Sequence, residues 1–145
     1  MNFDISTAEL NHGIRTATDI EDYLDREKDQ LLTLGLHEYL TLLLKQKGLS
    51  RAEVVRRSLL DRTYLYQIFR GERLPSRDKL LAIAFGMGLT VEETQRTLRL
   101  GGYSELYPRV ERDALILFAI LHGYKITEAD SLLIDHGCDT LTARE

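Results

Sequence analysis

Leu49-Ser50-Arg51-Ala52-Glu53-Val54-Val55-Arg56-Arg57-Ser58-Leu59-Leu60-Asp61-Arg62-Thr63-Tyr64-Leu65-Tyr66-Gln67-Ile68-Phe69-Arg70-Gly71-Glu72-Arg73-Leu74-Pro75-Ser76 decides the fold. Ser50 and Glu53 have capping-box spacing: a hydroxyl satisfies free backbone N–H groups at a helix start, and a carboxylate three residues on reaches back. Asp61 can cap a second helix, Arg62 to Arg70, which stops at Gly71, a residue free to take φ > 0. Only Leu59 and Leu60 remain between the two helices. The stretch therefore reads as two short helices joined by a tight turn and followed by a glycine-marked loop.

Outward from this pair, helix signals continue and strand signals are nearly absent. Leu36 to Lys47 is a strongly apolar helix stopped by Gly48. Ser76 can cap a helix from Arg77 to Met87, whose Leu80, Leu81, Ile83, Ala84 and Phe85 are spaced for burial against that first apolar helix. Thr90-Val91-Glu92-Glu93 supplies another capping box, for a helix ending at Gly101-Gly102. Thr18-Asp19-Ile20-Glu21 opens an N-terminal helix with Ile20, Tyr23, Leu24 and Leu31 on one face and acids on the other. Beyond Pro108, two more helices are expected near Arg112–His122 and Glu128–His136, the second capped by Thr127 with Asp130 three residues on. The expected fold is all-α, organised as an acidic segment with one helix (1–35), a central domain (36–102) and a helical extension (103–145).

Composition narrows the function. The 145 residues are 43% hydrophobic, enough for a real core, and no apolar run approaches the roughly 20 residues needed to span a bilayer. No secretory signal opens the chain, and its single cysteine, Cys138, cannot form an internal disulfide, so a reducing cytoplasm is the simplest home. Net charge is −4, but it is unevenly spread: −5 over residues 1–35, +5 over 36–101 and −4 over 102–145. A basic middle suits phosphate neutralisation, since affinity for a duplex is largely local. His136 and Cys138 are the only close pair of metal-ligand types, and a zinc site would need a second pair, so no metal and no cofactor is expected. Phosphate-binding glycine loops and nucleophile elbows are also missing, which argues against an enzyme.

The stretch from Leu49 to Ser76 resembles, without a gap, the helix-turn-helix of the Cro and lambda-repressor group, the XRE family. There a Leu-Ser pair opens the second helix, and the third ends in a Gly-x-Arg-x-Pro-Ser loop, here Gly71-Glu72-Arg73-Leu74-Pro75-Ser76. Arg51 stands where members usually carry Gln, and Leu59 where they usually carry Gly. The similarity extends from Leu36 to about Gly102, and Tyr107-Pro108-Arg109 with Arg112-Asp113-Ala114 is similar to extensions of some bacterial members. The resemblance implies a lambda-repressor-like five-helix domain, with extra N-terminal and C-terminal helices, that reads double-stranded DNA as a transcription regulator.

On that reading the helix 62–70 enters the major groove with Leu65 and Ile68 turned to the core. Arg62, Thr63, Tyr66 and Gln67 are the candidate base contacts, and Arg51, Arg70, Arg73 and Lys79 the candidate phosphate contacts. Tyr64 is expected to pack, and Arg56 and Arg57 to form a solvated helix face. Ala114 to Leu121 is an almost unbroken apolar run, either sandwiched in the fold or shared with a second copy in a homodimer on paired half-sites. The competing reading is an adaptor of the same fold, antitoxin-like or binding a signalling partner, which meets another protein through residues 103–145 and has little affinity for DNA.

Overall fold

The structure, a computed structural model, describes residues 35–142, and every regular element among them is an α-helix: α1 (Leu36–Gln46), α2 (Arg51–Ser58), α3 (Arg62–Phe69), α4 (Arg77–Met87), α5 (Val91–Leu100), α6 (Glu111–Leu121) and α7 (Ile126–Asp135). The expected helix near Ile20–Leu31 lies outside the described residues. From α2 to α5 each start is fixed by a side chain within one turn. Ser50, Asp61, Ser76 and Thr90 accept from the backbone N–H of Glu53, Tyr64, Lys79 and Glu93 respectively. Ser50 and Thr90 complete reciprocal boxes, with Glu53 and Glu93 accepting from the cap residues' own N–H groups. Such caps satisfy donors that the helix leaves orphaned.

The core is aliphatic, with Leu40, Val54, Leu65, Leu80, Leu81, Ile83 and Leu98 fully buried. α4 packs chiefly on α2, and α1 chiefly on α3 and α5. Gly86 makes the α2–α4 approach possible, since a Cβ there would lie 2.9 Å from the Ser58 Cβ and 3.2 Å from the Val54 carbonyl oxygen. Phe85, expected in the core, is only half-buried.

Residues 36–142 pack as one compact unit. Its linker 101–110 is held down by polar contacts: the Gln95 amide donates to the Leu106 carbonyl at 3.0 Å and accepts from the Leu106 N–H at 2.7 Å, and the Tyr103 hydroxyl donates to the Pro75 carbonyl. α4 and α6 then exchange ion pairs. Arg77 forks onto the buried Asp113, and Arg112 forks onto Asp78, with all four N–O distances between 2.9 and 3.1 Å. Its fork on Asp78 raises the Arg112 guanidinium further above its ordinary range, against the opposing effect of burial.

The last helix starts differently from expectation. α7 begins at Ile126, and Glu128 accepts from the Lys125 N–H at 2.9 Å, so Thr127 is inside the helix instead of capping it. Asp130 turns inward, accepts from the Leu141 N–H and the Thr142 hydroxyl, and so ties down the segment after α7. The run 114–121 is divided between two environments: Ile116 and Ala119 are buried, while Phe118 and Leu121 face outward, Leu121 at 72% exposure.

Candidate nucleic-acid interface

The α2–α3 turn is closed by Leu59, which adopts φ 60° and ψ 21°, the left-handed conformation, and donates its N–H to the Val55 carbonyl. It is the only non-glycine residue with positive φ among the described residues. A leucine takes this conformation against a local penalty of about 1–2 kcal/mol, so the tertiary fit of the two helices holds the turn in place of residue preference. Leu60, buried, and Asp61, which caps α3, follow directly.

On α3 the apolar side is Leu65, Ile68 and Phe69, all buried. Arg62 and Thr63 are exposed, and Tyr66 and Gln67 are half-buried on the opposite side. The four candidate base-contact residues therefore share one accessible helix face. Gly71 ends the helix at φ 76°, and its missing side chain makes room for α1: a Cβ would lie 2.6 Å from the His37 ring.

Cations lie against aromatic rings on and around this face. The Arg62 guanidinium lies 5.2 Å from the Tyr66 ring centre, and Arg51, from the start of α2, lies 5.6 Å from the same ring. Arg51 also stands 6.0 Å from the Phe69 ring, and Arg73 stands 5.4 Å from Tyr64. Contacts of this kind orient a guanidinium without consuming its N–H donors, which stay available to an anion. Tyr66 thus bridges a candidate base contact and a candidate phosphate contact. Spacing within one helix could not reveal this, because it depends on how α2 crosses α3.

The remaining cations differ in their freedom. Arg70 is exposed but forks onto Glu72 at 2.9 and 3.1 Å, a hydrogen-bonded pair that raises the guanidinium and holds the Glu72 carboxyl below the usual range. Lys79 is half-buried in the first turn of α4. Arg77, next to it, carries no part in this face because Asp113 and the Ser104 and Glu105 carbonyls occupy its donors.

Residues 36–97 match the family model of a helix-turn-helix domain. No curated protein and no solved structure matches the chain. No helix among the described residues is long and apolar enough to cross a membrane.

Proposed function

We propose, from the premise that residues 36–97 are a helix-turn-helix domain, that this chain is a sequence-specific regulator of transcription that inserts α3 into the major groove of double-stranded DNA. The observation that carries this reading is the polar side of α3, left accessible with Arg62 and Arg51 stacked about Tyr66. Arg62 and Gln67 have the donor and acceptor geometry for purine edges, Thr63 and Tyr66 that for a thymine methyl or a phosphate, and Arg51, Arg73 and Lys79 that for phosphates; Arg70 joins them on exchanging Glu72 for a phosphate. The protein acts in the cytoplasm by occupancy alone, with no metal or cofactor.

One copy of so small a domain reads too few bases to find a site in a genome, so we assign to the functional form a homodimer on two half-sites. The outward apolar residues Phe118 and Leu121 of α6 support this assembly.

Selection of bound fragments from random duplex DNA, followed by titration at two ionic strengths, tests the reading. An enriched sequence and a log–log salt slope near −4 to −5 are expected for about five neutralised phosphates. A pool without enrichment, or binding absent at low salt, refutes it in favour of the adaptor reading.

A further inference from the structure

Away from the α3 face, the α2–α3 turn, the end of α4 and the α6–α7 loop enclose a groove of about 530 Å³. That volume lies within the range of small-molecule sites, roughly 300–1,000 Å³. Its walls are apolar, built from Leu59, Phe85, Leu89, Ile120 and Tyr124, and its rim carries Arg56, Arg57 and Lys125 with no carboxylate in the lining. Arg56 and Lys125 have no ion-pair partner among the described residues, and Arg57 reaches Glu53 only at 3.7 Å. Three cations beside an apolar trough, with little to neutralise them, complement one kind of guest. We propose that this groove binds an amphipathic anion, a small molecule with an acyl or aromatic body and a single carboxylate or similar head.

Leu59 strengthens the assignment. A glycine at its left-handed position would be free of strain but would remove one apolar wall of the groove. The C-terminal extension also has a place here, since Ile120, Gly123, Tyr124 and Lys125 supply the wall that the helix-turn-helix domain lacks.

The test titrates the full chain with decanoate, 1-decanol and decyltrimethylammonium, below their micelle concentrations, and follows amide NMR shifts. Decanoate is expected to bind saturably, roughly tenfold more tightly than decanol at low salt, and to move the Leu59, Gly88 and Gly123 amides. The double variant Arg56→Gln, Arg57→Gln, altered only at exposed positions, should bring decanoate to within about threefold of decanol while leaving the fold's spectrum in place. Equal affinity for the anion and the alcohol, absence of saturable binding, or shifts centred on Phe118 and Leu121 would each overturn the proposal. So would a double variant that binds decanoate normally but loses affinity for every duplex, because the two arginines would then be phosphate contacts.

Discussion

At Leu59 a single Cβ opposes the backbone conformation that the turn requires. Replacement by glycine and by alanine removes the same exposed side chain, so the two variants differ only in that atom. Leu59→Gly should be more stable than Leu59→Ala by about 1 kcal/mol, read as thermal midpoints, whereas at exposed, helical Ala52 glycine should be the worse residue by about the same amount. Equal midpoints at position 59 would mean that the left-handed turn holds no strain. On α3 and the loop that follows it the residues separate by role. Arg62→Ala and Gln67→Ala should change which sequences are selected, at about 1–3 kcal/mol per lost bidentate contact, while Arg73→Ala should weaken all duplexes alike and lower the salt slope by about one. Uniform weakening by all three would leave α3 without a reading role. These outward positions were legible in the sequence because Leu65 and Ile68 fix the helix's inner side. The Arg51–Tyr66 stack was not, since it joins two helices whose crossing no local pattern encodes.

Helix starts were the most legible elements, because a cap is a contract between residues three apart. Ser50, Asp61, Ser76 and Thr90 all fulfil it. α7 shows where the rule fails: Thr127 with Asp130 and Lys125 with Glu128 offer two competing registers, and the long-range capture of Leu141 by Asp130 goes with the second. The Thr90–Glu93 cap carries a further charge effect, because Glu93 also meets Lys47, just beyond α1, at 2.9 Å. Burial pushes its carboxyl up, but the Thr90 N–H and the Lys47 ammonium outweigh this and hold it below the usual range. A depressed folded value means that the stabilisation is complete above the unfolded carboxylate pKa, about 4.3, and is lost as pH falls through the folded value. Glu93→Gln keeps a cap acceptor and removes only the charge. Denaturant titrations should show it less stable than the parent by about 0.5 kcal/mol at neutral pH, with the gap closing in acid. A gap independent of pH would mean that the Lys47 pair contributes nothing and that the amide is only a poorer acceptor than the carboxylate.

Over the whole molecule, the extension is joined to the domain by pairs that no sequence window contains, since Arg77 and Asp113 are 36 residues apart. The two forks are unequal. The Asp113 side chain is 9% exposed and also accepts from the Tyr107 N–H, whereas Asp78 is 36% exposed. Removing Arg77 leaves a buried carboxylate without its cation, so Arg77→Ala should lose about 3 kcal/mol in urea unfolding, against about 1 for Arg112→Ala. Equal losses would mean that water compensates Asp113. The clamp aims α6 with Ile116 and Ala119 inward, which leaves Phe118, stacked on His122 at 3.9 Å, and Leu121 as surplus apolar surface. The sequence run 114–121 showed this surplus but not its direction. If a second copy covers it, Leu121→Asp places a charge in the interface while disturbing nothing buried in one chain. Sedimentation velocity should then report a dimer for the parent and a monomer for the variant at the same concentration. The variant's unfolding at high dilution should be unchanged, and its affinity for a paired site should fall toward that for a single half-site. A parent that sediments as a monomer even on DNA would instead require each copy to find its half-site alone.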